Sequence, residues 1–254
     1  MSTRTETFAV GERTRVEAST TAGDVVVTAA PAGTVTVLVD GSRAEEYVIE
    51  QRGDVVTVEP AKGVRRWLGG ADIHLEVPPT ATLELSCTSG DITVNSAVLE
   101  LVANVASGDI RVDDVARSAR IKSASGDVFV DRVGERLDVS TASGTLRIGT
   151  VGRDVSVTTA SGNTYIDRVG ETVNLRSASG DVEVTRFDGT DFKARTLSGD
   201  VRIGIPSRRL LDVDIQTLSG ELRNRLREGD ESPPERSASL QLKTVSGDVT
   251  LQGA

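Results

Sequence analysis

Apolar and polar residues alternate in short runs along this chain, and the runs return at a fixed interval. Ser-Gly followed by a polar residue stands at Ser107-Gly108-Asp109, Ser125-Gly126-Asp127, Ser143-Gly144-Thr145, Ser161-Gly162-Asn163 and Ser179-Gly180-Asp181, each glycine 18 residues after the last. Ser89-Gly90-Asp91 precedes them by one period. Ser198-Gly199-Asp200, Ser219-Gly220-Glu221 and Ser246-Gly247-Asp248 follow at intervals of 19, 21 and 27. Ala22-Gly23-Asp24-Val25 looks like the same turn, set apart by a longer irregular stretch. Aligning the units from Gly90 onward on their glycine gives four apolar columns: seven and five residues before it, two and four after. In one unit these are Leu137, Val139, Leu146 and Ile148; only Thr164 and Asn224 break the columns.

Apolar residues two apart, with polar ones between, mark strands with one buried face. Each unit therefore holds two short strands joined by the Ser-Gly-Asp turn, and Val133-Gly134, Val151-Gly152 and Val169-Gly170 make a second corner. Glycine supplies the crowded or left-handed backbone of a sharp corner, and the Asp or Asn beside it is expected to bond the turn's own amides. An antiparallel meander would not place every turn of one kind after the same strand. Coiling the chain so that equivalent strands stack in parallel makes each column continuous. The expected fold is all-β: a single-domain parallel β-helix (β-solenoid) of about 18 residues per coil, right-handed by the usual rule for parallel crossovers. No long helix is expected.

Within one domain spanning 1–254, residues 1–80 read as irregular N-terminal coils and a cap. They include a hairpin of Tyr47–Gln51 and Val55–Glu59 around Arg52-Gly53-Asp54. Residues 81–190 read as regular coils, and 191–254 as coils with longer turns. A polar stretch at 227–239, containing Pro233-Pro234, is expected to be a mobile loop. Aromatic residues are only 3% of the chain, as a thin solenoid core requires. The net charge of −9 argues against a nucleic-acid partner. The N-terminus has no apolar signal region, and no segment approaches the roughly 20 apolar residues of a membrane span. A cytoplasmic location follows as the expectation, with any membrane attachment through a partner.

Three features carry a family resemblance. They are the repeated S-A-S-G-D-V units, the D-I-H-L-E-V-P-P-T-A-T-L-E-L segment from Asp72 to Leu85, and T-A-G-D-V-V-V from Thr21 to Val27. Together they resemble the bacterial putative-adhesin family of β-strand-repeat proteins, a domain of unknown function. The resemblance covers nearly the whole chain. It implies a parallel β-helix and, in some members, a link to cell-envelope stress. It supplies no catalytic residues.

The residues themselves point away from catalysis, cofactors and metals. The one histidine, His74, alternates with Ile73 and Leu75 and so faces solvent; the one cysteine, Cys87, occupies a column of small residues. Neither supports a zinc site. The turn aspartates stack about 4.8 Å apart, which suits turn capping better than calcium, since Thr145 and Asn163 interrupt the column. The expected function is non-catalytic binding or scaffolding toward a protein or carbohydrate partner. End-to-end self-association is the alternative reading, and a carbohydrate-active enzyme a more distant one.

Two candidate surfaces stand out. Arg65-Arg66-Trp67 lies in a glycine-bounded loop, where Trp67 either anchors a partner or an anionic lipid surface, or folds back over the first coil. The outward column three residues after each glycine runs Arg111, Phe129, Arg147, Tyr165 on consecutive coils. Guanidinium-over-ring contacts there either stiffen the outer face or form a binding stripe.

Overall fold

The structure, a computed structural model, describes residues 2–61, 70–207, 209–226 and 236–254. It divides into two compact units, Met1–Val130 and Asp131–Ala254, each built from parallel coils. A coil takes its name below from the glycine of its turn.

In the first unit the columns govern the pairing. Thr82–Ser89 lies parallel to the second half of Ile92–Ser107, with Leu83 against Leu101 and Leu85 against Ala103. Ile110–Ser125 then follows Ile92–Ser107, Ile110 against Ile92 and Ile121 against Ala103, with register shifts where the chain rounds the second corner. The isolated Gly23 turn is a full member of this stack. Arg15–Ala22 pairs in parallel with Thr82–Ser89, and Val25–Ala29 with Ile92–Ser107. Its Val16, Ala18, Val25 and Val27 are buried in the same four columns. The chain between the two coils closes the far side of the Gly23 coil. Val55–Pro60 and Asp72–Val77 each add a parallel strand. Antiparallel partners follow: Tyr47–Arg52 beside Val55–Pro60, Thr34–Gly41 beside Asp72–Val77, and Ser2–Ala9 beside Thr34–Gly41. The expected hairpin is present, turning at Gly53 with a φ of 60°. The helical content of the described residues is one 3-10 turn, Ala44–Glu46.

In the second unit, Arg136–Ser143, Asp154–Ser161, Thr172–Ser179 and Asp191–Ser198 stack in parallel on one face, Val139 against Val157 against Leu175 against Ala194. Leu146–Val151, Thr164–Val169, Val182–Phe187 and Val201–Ile205 stack on the other. The longer corner between the Gly180 and Gly199 coils encloses Phe187 and Phe192. Both are fully buried, and their rings meet edge to face with centroids 5.3 Å apart.

Beyond Gly199 the stacking order departs from chain order. Asp191–Ser198 pairs with Arg236–Ser246, and that strand pairs in turn with Arg209–Ser219. Val249–Gly253 likewise lies between Val201–Ile205 and Leu222–Arg225. The Gly247 coil is thus inserted between Gly199 and Gly220, leaving Gly220 outermost. The reason lies in the columns. The Gly247 coil offers Leu240, Leu242, Val249 and Leu251, all buried, and can be covered on both sides. The Gly220 coil carries Asn224 in the fourth column and leaves Val213 and Leu222 exposed. Its arginine, Arg209, ties it back to the stack by donating to the carbonyls of Gly189 and Asp188.

The expected loop at 227–239 needs correction at its end. Residues 236–239 begin the strand Arg236–Ser246, because Leu210, Leu211 and Asp212 supply it with parallel partners. The rest of that stretch, 227–235, lies outside the described residues.

Candidate functional site

The turns show how neighbouring coils are held together. In the first unit the amide of Asp91 donates to Asp24 Oδ1 (2.8 Å), Asp109 to Asp91 (2.8 Å) and Asp127 to Asp109 (2.9 Å). Asp72 heads this series by accepting from Asp24. In the second unit Asp181 donates to Asn163, Asp200 to Asp181, Asp248 to Asp200 and Glu221 to Asp248, each at 2.9 Å. The expectation that these side chains bond their own turn is therefore corrected: each accepts the equivalent amide of the adjacent coil. A side chain of Asp or Asn length reaches one strand spacing away, which is why Asn163 serves as well as an aspartate.

The second carboxylate oxygens meet arginines. Arg111 binds Asp109 at 3.0 Å, Arg202 binds Asp200 at 3.0 Å, and Arg223 binds both Glu221 and Asp248 at 3.0 Å. Asp109, Asp200 and Asp248 thus have one oxygen on an amide and the other on a guanidinium, which leaves little of these carboxylates for an ion. Among the described residues no group of three or more His, Cys, Asp or Glu could hold a metal.

The outward column has the expected register. Phe129 is half-buried on the outer side of its strand, between the core residues Val128 and Val130. In the first unit the Arg111 guanidinium lies 5.1 Å from the Phe129 ring centroid. In the second, Arg147 lies 5.7 Å from Tyr165, whose hydroxyl accepts from Asn163 Nδ2. Arg111 is also bound to Asp109, so its charge is already satisfied within the face. Arg65, Arg66 and Trp67 lie outside the described residues.

A groove of about 700 Å³ on the first unit was not visible in the repeat. Outward residues of four stacked coils floor it, Ser19, Ser86, Asn104 and Lys122 among them, and Glu59-Pro60-Ala61 stands beside it. Cys87 lies beneath, its thiol donating to the Gly23 carbonyl. Burial pushes that thiol up to about 11, and Asp24 and Asp91 add to the shift, so it remains protonated and unreactive at neutral pH. His74 is exposed on its strand. The signal for the groove was the outward polar column four residues before each glycine, but its wall comes from a hairpin outside the repeat.

The geometry accords with a match along nearly the whole sequence: the profile of the Toastrack family, DUF4097, covers residues 12–252. The chain belongs to that family. The resemblance carried by the S-A-S-G-D-V turns is thereby borne out, and the Toastrack fold is a β-solenoid of the kind the columns predict. Solved structures share the likeness at a distance. A putative adhesin from Bacteroides fragilis is 13% identical, with 98% of this Toastrack chain and 97% of that chain covered and a TM-score of 0.40. A putative adhesin from Parabacteroides distasonis is 14% identical over 98% and 97%, with a TM-score of 0.41. A putative lipid binding protein from Parabacteroides distasonis is 16% identical over 97% and 96%, with a TM-score of 0.40. No curated protein matches the chain.

Proposed function

We propose that this chain is a non-catalytic binding module whose first unit receives an extended polar partner, a carbohydrate or a protein segment. The groove on that unit carries the reading. Its volume of about 700 Å³ falls within the roughly 300–1,000 Å³ of ligand sites, and its floor offers hydroxyl, amide and ammonium groups at strand spacing. Such a row matches a chain of hydroxyls or peptide groups. The thiol beneath it is held protonated, which favours holding a ligand over attacking one. A cytoplasmic location belongs to the same proposal.

Titration of the isotope-labelled chain with defined oligosaccharides and extended peptides tests it. Shift changes confined to residues 19–21, 86–88, 104–106 and 122–124 are expected. Asn104→Ala and Lys122→Ala should each weaken binding about tenfold while the ligand is recovered intact. Changes confined elsewhere would remove the groove from the proposal, and turnover of the ligand would remove its non-catalytic part.

A second reading, self-association, is favoured by the outermost Gly220 coil. Arg209–Ser219 and Leu222–Arg225 each pair on one side only among the described residues, and Leu210, Val213 and Leu222 are exposed there. A second copy adding at that edge would cover them. Sedimentation velocity across a hundredfold concentration range decides: a constant monomer at the highest concentration excludes it.

A further inference from the structure

The second unit carries a cationic row that no acid among the described residues pairs with, beside a row of exposed aliphatic side chains. Arg176, Arg195 and Lys243 occupy the outward position four residues before the turn glycine on three adjacent strands. Arg176 is in register with Arg195, and Arg195 with Lys243. All three are exposed, and none makes an ion pair or side-chain hydrogen bond among the described residues. Like charges directly opposite on neighbouring strands destabilise a sheet. Most acids at the adjoining turns are engaged elsewhere: Asp200 is held by Arg202, Asp248 and Glu221 by Arg223, and Asp181 accepts the Asp200 amide. The chain as a whole is strongly acidic, with a net charge of −9, so three unpaired neighbouring cations run against its overall composition.

Two residues beyond Arg195 and Lys243, and at the equivalent position of the outermost strand Arg209–Ser219, stand Leu197, Val245 and Leu218, which are 60%, 46% and 87% exposed. Insertion of the Gly247 coil places Val245 between the two leucines, as the flanking pairs Thr196–Thr244–Thr217 and Ser198–Ser246–Ser219 show. The corresponding position on earlier coils is alanine: Ala142, Ala160 and Ala178. Small side chains thus give way to large aliphatic ones on the strands that carry Arg195 and Lys243 and on the strand beyond them.

We infer that this face docks on an anionic lipid surface, the aliphatic row entering the headgroup boundary and the cationic row meeting the lipid phosphates. Charge and apolar side chains in adjacent stripes are what interfacial binding requires. A bilayer fits better than an acidic peptide because Asp191–Ser198 and Arg236–Ser246 are paired on both sides. Their backbone groups are already used, so a peptide cannot add as a strand. On these two strands only side chains are available, and they project from a sheet face. Attachment of this kind is peripheral; no helix among the described residues is long and apolar enough to cross a membrane.

Co-sedimentation of the full chain with vesicles tests the inference. Binding is expected to vesicles of 70% phosphatidylcholine and 30% phosphatidylglycerol at low salt, and not to phosphatidylcholine alone. Each cation removed should weaken it roughly fivefold, so Arg176→Gln, Arg195→Gln and Lys243→Gln combined should lower affinity about a hundredfold. Leu197→Ser with Leu218→Ser should lower it comparably at both low and high salt. Arg202→Gln with Arg223→Gln, which removes cations already paired with acids, serves as the control and should weaken it far less. Thermal melts show whether each variant is folded. Failure of the unaltered chain to bind anionic vesicles would overturn the inference. So would equal loss in the control, or binding of an acidic leucine-containing peptide without vesicle binding.

Discussion

Two glycines show how differently one residue type is used. Gly108 has a φ of 142°, and a Cβ there would sit 2.0 Å from the Gly90 carbonyl oxygen. Gly53 has a φ of 60°, and a Cβ there would meet nothing within 4 Å. Gly108→Ala is therefore expected to cost roughly 3–5 kcal/mol, since backbone must move as well as adopt a strained conformation. Gly53→Ala should cost only about 1–2 kcal/mol. Urea denaturation of both variants measures the contrast. Thr164 is the reverse case. It is fully buried in a column of valine and leucine, and its hydroxyl has no partner. Thr164→Val keeps the shape, removes the orphaned group and should raise stability by about 1 kcal/mol. Cys87 adds a pH dependence. Its pKa rises from 9.0 to about 11 on folding, so above pH 9 the unfolded thiol ionises while the folded one does not. Stability should fall as pH climbs from about 9 to 11, by at most roughly 2–3 kcal/mol, and Cys87→Ser should flatten that part of the profile.

The unit of cohesion between coils is the turn side chain reaching the next amide. Asp109 sits mid-series, accepting from Asp127 and donating its own amide to Asp91. Asp109→Asn keeps the acceptor, as Asn163 does naturally, and should be near neutral. Asp109→Ala leaves the Asp127 amide without that acceptor and should cost about 1–2 kcal/mol, read by chemical denaturation. Most of this level was legible beforehand: alternation located the strands, the glycine period located the turns, and the outward column placed Phe129 and Tyr165 outside the core. The direction of the turn bonds was not legible, because a side chain's own turn and its neighbour's offer the same donor in sequence. The lipid-facing row was half legible. The change from Ala178 to Leu197 can be read along the chain, but Val245 joins the leucines only through coil insertion.

At the scale of the molecule, what escaped the sequence was adjacency between segments far apart in the chain. Val16, Ala18, Val25 and Val27 fit the four columns, yet the Gly23 coil reads as isolated because its partner begins after a long cap. Asp24 and Asp91 are 67 residues apart and joined by one hydrogen bond. At the other end Asn224 was the available sign that the Gly220 coil belongs outermost, since an amide side chain in a core column is accommodated with least cost where it stays exposed. A chain truncated after Leu226 tests this order. Without Arg236–Ser246 and Val249–Gly253, the strands Arg209–Ser219 and Leu222–Arg225 lose the partners that hold them. Hydrogen exchange should then show their amides unprotected at the native positions, while Arg136–Ser143 and Asp154–Ser161 keep most of their protection.

The inserted coil also sets a timetable. When residues 209–226 leave the ribosome, the strand Asp191–Ser198 still has an open edge, and Val213 and Ile215 match its Phe192 and Ala194 column for column. Native stacking requires residues 236–253, made later, to occupy that edge instead. The second unit cannot be assembled one coil at a time in the order of translation; its last step waits for the final strands to emerge.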